Sequence, residues 1–183
     1  MHPYRVDVSS ILEDLGASEY VDGAFPLDRL LVGDAEFWLL EPARFAVTLT
    51  NTGSGIVVTG AVSARATTEC SRCLEPFELL ITGEVEGFYV QHGLETDVPE
   101  EQEVELIFPD NTIDLAPALL AALTVEAPFA PVHDESCAGL CPLCGCDLNV
   151  EHCDCHDAVP ETHPFAALRD LLEEDPGSHA NER

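Results

Sequence analysis

Phe45-Ala46-Val47-Thr48-Leu49-Thr50-Asn51-Thr52-Gly53-Ser54-Gly55-Ile56-Val57-Val58 is the stretch on which the fold turns. Phe45, Val47 and Leu49 alternate with Ala46, Thr48 and Thr50, the period of a strand with one buried face. Asn51 to Gly55 is a cluster of turn formers, and Ile56, Val58 and Gly60 resume the alternation. Two antiparallel strands joined by a short turn follow.

The pattern extends outward in both directions. From about residue 34 to 90 the chain keeps a period of two, and it returns in Phe77-Glu78-Leu79-Leu80-Ile81-Thr82-Gly83-Glu84-Val85-Glu86-Gly87-Phe88. A meander of four or more strands is expected, with Cys70-Ser71-Arg72-Cys73 in the connection between two of them. Ser9 to Gly16 reads as a short helix with a serine cap and a terminal glycine, inside an otherwise irregular lead-in. Residues 91–103 read as a solvated acidic loop, and Glu105 to Phe108 as one further strand. Asp114 is placed to cap an apolar helix over Leu115 to Leu123, where Pro117 is tolerated in the first turn. A last amphipathic helix is expected after Thr162, with Phe165, Leu168, Leu171 and Leu172 on one stripe.

These elements define an α+β chain: an antiparallel β-meander or partly closed sheet, a few short helices and a C-terminal zinc-ribbon-like segment. The expected divisions are a lead-in over 1–33, a β core with one helix over 34–133, and a cysteine-rich ribbon plus helix over 134–183.

Composition narrows the function classes. At 46% apolar residues the chain can build a core, so its acidity does not signal wholesale disorder. No apolar run is long enough for a membrane helix. The first residues carry acids where a secretory leader needs an apolar run, so a cytoplasmic location is expected. In that compartment eight cysteines are read as metal ligands rather than disulfides.

The net charge is −28, with seven arginines and no lysine, and no arginine or lysine stands between Arg72 and Arg169. Nucleic-acid binding depends on cations that displace counterions from phosphates. Over most of its length this chain lacks them. Contact with RNA or DNA is therefore expected only indirectly, through a basic partner, or through a small patch. A proteome-wide acidic bias is the competing explanation of the charge.

Six of the eight cysteines, Cys137, Cys141, Cys144, Cys146, Cys153 and Cys155, lie close together near the C-terminal end. Pairs spaced C-x₂-C or C-x-C each present two thiolates from one tight turn, which suits a tetrahedral ion. Cys141, Cys144, Cys153 and Cys155 form the first candidate site. Gly145 follows Cys144, where a knuckle turn calls for a left-handed residue. Cys70, Cys73, Cys137 and His133 form a second candidate site that would staple the sheet to the ribbon; Cys137 could instead serve the first. Cys146 is left as a spare thiol. Zinc is the expected metal, as one ion or two, with iron as the competitor.

Enzyme motifs do not hold up. His133-Asp134-Glu135 matches the H-x-E of zinc nucleobase deaminases, but no proline precedes Cys141 and too few residues separate the halves. Neither C-x₂-C opens a helix beside a βαβ unit, as a thioredoxin-like motif would. The closed ligand sets favour a structural metal, and no catalytic residue is expected.

Several segments share an order with a known family. Cys70-Ser71-Arg72-Cys73-Leu74-Glu75-Pro76-Phe77 is followed by Ile113-Asp114-Leu115 and then by Pro131-Val132-His133-Asp134. After these come Cys137-Ala138-Gly139-Leu140-Cys141-Pro142-Leu143-Cys144-Gly145, Leu148-Asn149, Cys153, Cys155 and Pro164-Phe165-Ala166-Ala167-Leu168. Over about residues 40 to 175 this sequence resembles the YceD family, with Cys146 as an extra thiol.

The resemblance implies a part in the accumulation of large-subunit ribosomal RNA, without a known reaction. Family genes commonly neighbour that of a small basic ribosomal protein. Some members keep the first C-x₂-C and the His-Asp…Cys segment without the ribbon, which implies that Cys70, Cys73, His133 and Cys137 act as one unit. The expected function is a non-enzymatic metal-binding factor for ribosome assembly whose partner is a basic ribosomal protein or a large-subunit precursor. A zinc-ribbon adaptor of other nucleic-acid machinery is the alternative. A thiol redox or hydrolytic enzyme using Cys146 is the third reading.

Overall fold

The structure, a computed structural model, describes residues 3–91 and 104–157. Its contacts divide the chain into a first unit, Met1–Glu135, and a second, Ser136–Arg183.

The first unit is built on two long strands, β6 (Ile56–Glu69) and β7 (Pro76–Gln91), paired antiparallel from Ile56↔Tyr89 to Glu69↔Pro76. β5 (Ala43–Asn51) pairs with the first half of β6, and β4 (Ala35–Leu39) meets its second half at Trp38↔Thr67 and Leu39↔Ala66. Outside these run β2 (Ser18–Phe25) against β5 and β3 (Arg29–Val32) against β4. A short strand β8 (Glu105–Ile107) joins β7 in parallel, so the sheet is not wholly antiparallel. The seven strands form an open sheet, and the expected partial closure does not occur. A separate two-stranded sheet pairs β1 (Arg5–Asp7) with β9 (Thr112–Asp114).

The hairpin Phe45–Val58 forms as its alternation requires. Phe45, Val47, Leu49, Ile56 and Val58 are buried, while Thr48 and Thr50 are half-exposed. The expectation of an irregular lead-in over 1–33 fails at β2 and β3. In β2 only Phe25 is fully buried; the other inward positions, Glu19, Val21 and Gly23, are half-covered and their neighbours exposed, so the strand carries little apolar contrast. Helix α1 (Ser9–Leu12) is shorter than the expected span, and its first N–H, that of Ser9, is taken by Asp7 Oδ1 at 2.8 Å rather than by a serine cap.

Asn51 fastens this region. Its Nδ2 donates to the carbonyls of Ile11 (2.7 Å) and Leu12 (3.0 Å), and its Oδ1 accepts from Gly53 N at 2.8 Å. One buried side chain thus satisfies the end of α1 and the turn after β5. Truncation leaves three backbone groups without that partner. Asn51→Ala should therefore cost about 2 kcal/mol, read as a lower midpoint in urea unfolding with unchanged slope.

Helix α2 (Ala116–Glu126) covers the inner face of β7. Ala116, Leu119, Ala122 and Leu123 are buried, the spacing of one helical face. Asp114 Oδ1 accepts from Ala116 N at 3.0 Å and from Tyr4 N at 2.8 Å, so the expected cap acts from one position before the N-cap Leu115. Tyr89, fully buried beneath, donates its hydroxyl to the Asp114 carbonyl at 3.0 Å. Burial raises its pKa above the ordinary phenol value, with the charges of Glu105 and Asp114 adding to the effect.

No helix among the described residues is long and apolar enough to cross a membrane. The acidic stretch 92–103 and the expected helix after Thr162 lie outside the described residues.

Candidate metal centres

The β6–β7 hairpin ends in a tight turn that carries the first thiol pair. Cys70 N donates to Glu75 O (3.0 Å) and Leu74 N to Cys70 O (2.8 Å), with Leu74 itself in the left-handed region at φ 64°. This geometry turns Cys70 and Cys73 inward: both are buried, while Leu74 is exposed. Residues 131–135 lie along the turn. Ser71 N donates to Pro131 O at 2.7 Å and Arg72 Nη1 to Glu135 O at 2.9 Å. His133 is thereby held with Nδ1 3.4 Å from Cys73 Sγ and its ring edge-on to Phe77, centroids 6.4 Å apart.

The ligand atoms of Cys70, Cys73 and His133 lie within 4.8 Å of one another, close enough to share one ion. Burial pushes the Cys70 thiol up, but hydrogen bonds from the N–H groups of Cys73, His133 and Arg72 outweigh it and bring the pKa down to about 5. His133 is shifted upward, first by its hydrogen bond with Cys70; burial opposes the shift, and the negative charge of Cys70, Glu75 and Asp134 adds to it. A site that already favours thiolate gives up its proton to a cation at lower cost.

The second unit holds the other group. Cys141 N donates to Cys146 O (2.8 Å), Gly145 N to Cys141 O (2.8 Å) and Leu148 N to Gly139 O (2.9 Å). Gly139 and Gly145 take the left-handed conformation at φ 77° and 74°, as the knuckle requires at Gly145. The flanks meet in an antiparallel bridge, Leu140↔Asp147.

Cys141, Cys144, Cys146 and Cys153 have ligand atoms within 4.8 Å of one another. Here the geometry differs from the spacing argument. Cys146, read as spare, stands in the group, and Cys155 stands outside it. The left-handed Gly145 curls the chain so that Cys146 returns beside Cys141, whose N–H its carbonyl accepts, which spacing alone does not show.

The donor chemistry fits a cation. Cys141 is lowered to about 6 by the N–H groups of Cys144 and Leu143, against burial, with Cys153 and Cys144 also hydrogen-bonding it. Cys146 is pushed up to about 12, first by its hydrogen bond with Cys144 and then by burial. Cys155 is pushed up to about 11, first by a hydrogen bond with Cys144 and then by that thiolate's charge. Crowded sulfurs thus resist ionising together, and a divalent ion among them removes that conflict. Two Cys/His groups among the described residues could therefore hold metal ions.

Asn149 is a residue the motif reading did not single out as functional. Its Oδ1 accepts from Ala138 N at 2.7 Å, and its Nδ2 lies 3.5 Å from Cys137 Sγ. Amide donors of this kind fix and stabilise a metal-bound thiolate.

Residues 58–172 match the family described as "Large ribosomal RNA subunit accumulation protein YceD". An uncharacterized protein of Mycobacterium tuberculosis is 37% identical over 106 residues, which are 57% of this chain and 51% of that one. One from Mycobacterium bovis gives the same figures. A Mycobacterium leprae relative is 30% identical over 134 residues, 73% of this chain and 61% of its own. The chain thus spans about half the length of the first of these relatives. No solved structure matches it. The chain belongs to the YceD family of large ribosomal RNA subunit accumulation proteins.

Proposed function

We propose that this protein is a metal-stabilised, non-enzymatic factor that supports the accumulation of large-subunit ribosomal RNA by holding a basic ribosomal protein before it meets RNA. The family name supplies the RNA-accumulation role. The observation that carries the protein-holding part is charge: a net −28 without a lysine repels phosphate and attracts a cationic protein. Retrieval of proteins from lysate on the immobilised chain, followed by a salt series, tests it. Basic ribosomal proteins should be retained at low salt and released as salt rises; their absence at low salt overturns the reading.

Two zinc ions per chain complete the proposal. Cys70, Cys73 and His133 take one, with Cys137 as the fourth ligand, four residues beyond His133. Cys141, Cys144 and Cys153 take the other, and Cys146 and Cys155 compete for its last position. Closed thiolate sets of this kind are structural and leave no open position for a substrate. Elemental analysis of protein purified without chelator should find two zinc per chain. Cys73→Ser and Cys144→Ser should each remove one; a single metal in the unaltered chain would eliminate one of the sites.

A further inference from the structure

We propose that a groove beside the Cys70 turn is the seat of the basic partner, and that it takes a peptide segment alternating arginine or lysine with an apolar side chain. The β4–β6 ladder stops at Trp38↔Thr67. Beyond it, Thr68 donates its hydroxyl to Glu36 O at 2.7 Å, and the two strands part. A cavity of about 590 Å³ opens there, lined by the start of β4, the end of β6, the Cys70 turn and the stretch at Phe129. That volume accommodates a few side chains.

Its walls carry two chemistries. Trp38, Leu74 and Phe129 are 49%, 58% and 76% exposed, large apolar groups left in water on one surface. Asp34, Glu36 and Glu69 stand among them, all exposed, and no basic side chain is part of the lining. Apolar groups with carboxylates between them fit a segment that brings both a hydrophobic anchor and a cation. The groove's acidity disfavours RNA.

The chain already shows how a cation sits here. Arg29 Nη1 lies 3.5 Å from Glu36 Oε1, and its guanidinium is 5.3 Å from the centre of the Trp38 ring. A guanidinium over an indole face beside a carboxylate is a favourable arrangement. Both partners of the Arg29–Glu36 pair are about half exposed, so the pair is weak and an incoming cation can join or replace it.

This inference rests on the reading of a basic partner, and its test separates the two. Trp38 is the chain's only tryptophan, so its emission reports on the groove directly. A short acetylated peptide alternating arginine with leucine should shift that emission saturably. The same peptide with glutamate for arginine, or with glycine for leucine, should not. Asp34→Asn combined with Glu69→Gln should weaken binding about tenfold, and salt should weaken it in the unaltered protein.

An unmoved Trp38 emission, equal binding by the glycine peptide, or saturation instead by single-stranded polyuridine overturns the proposal. So does a shift that tracks self-association of the chain without peptide. If basic ribosomal proteins are retained by the chain and the Asp34→Asn/Glu69→Gln variant retains them equally, the groove is wrong and the partner class stands. If the peptide binds the groove and no ribosomal protein is retained, the groove stands and the partner class is wrong.

Discussion

Removal of metal with a strong chelator should unfold residues 137–157 and leave the β-sheet standing. The reason lies in what the second unit has for an interior. Among its described residues the buried hydrophobic positions are Cys137 and Cys141, while Leu143 and Val150 are 60% and 79% exposed. No apolar cluster there offsets the conformational entropy of about 1–2 kcal/mol for each ordered backbone residue. The hydrogen bonds of the knuckle each contribute only about 1 kcal/mol. A structural zinc site contributes on the order of 10–16 kcal/mol in small peptides, enough to reverse that balance.

The sheet of the first unit has a core of its own, including Phe25, Phe37, Leu49, Ile56, Leu119 and Leu123, and does not depend on a metal to the same degree. Limited proteolysis before and after chelation reads the difference. New cleavage should appear within 137–157 while fragments containing β5 to β7 persist. Restoring zinc should restore resistance. A digestion pattern indifferent to chelator would mean that the cysteine segment is held by something other than a cation.

How far the sequence discloses this arrangement depends on the element. The Phe45–Val58 hairpin and β7 are legible because one face of each is apolar and the other is not. Strand β2 is not legible, since the inward positions of Ser18–Phe25 are apolar only at Val21 and Phe25, and the strand owes its place to pairing with β5. Helix α2 is legible as a helix, through Asp114 and Pro117, but its buried face is not. Leu115 to Leu123 is apolar on all sides, and only packing on β7 selects Leu119, Ala122 and Leu123.

The metal groups divide similarly. Spacing identifies Cys70 and Cys73 as a pair, because both ligands come from one turn. The approach of His133 depends on the Ser71–Pro131 and Arg72–Glu135 contacts, which bridge about sixty residues and leave no local sequence mark. The approach of Cys146 to Cys141 and Cys144 follows from the left-handed turn at Gly145, a matter of chain direction that counting intervals does not capture.

Gly83→Val should destabilise the first unit by about 3 kcal/mol or more, the upper range for overpacking of a filled interior. Position 83 lies in the middle of β7, opposite Val62 on β6, where β-propensity by itself favours valine over glycine. The helix reverses that preference. A Cβ on Gly83 would collide with the carbonyl oxygen of Ala122, and it would stand 2.7 Å from that carbonyl carbon and 3.2 Å from Ala122 Cβ. The obstacle is helix backbone, which cannot rotate away as a side-chain tip can.

Relief requires α2 to lift from β7, which withdraws Leu119 and Leu123 from the core they fill. With a urea slope of about 2 kcal/mol per molar, the unfolding midpoint should fall by about 1.5 M. Ala122→Gly should not rescue the variant, because it removes a methyl group and keeps the carbonyl. A midpoint that rises, as strand propensity alone would have it, would show that α2 is not seated on Gly83 in the folded protein, and a rescue by Ala122→Gly would place the obstacle at the methyl group rather than at the carbonyl.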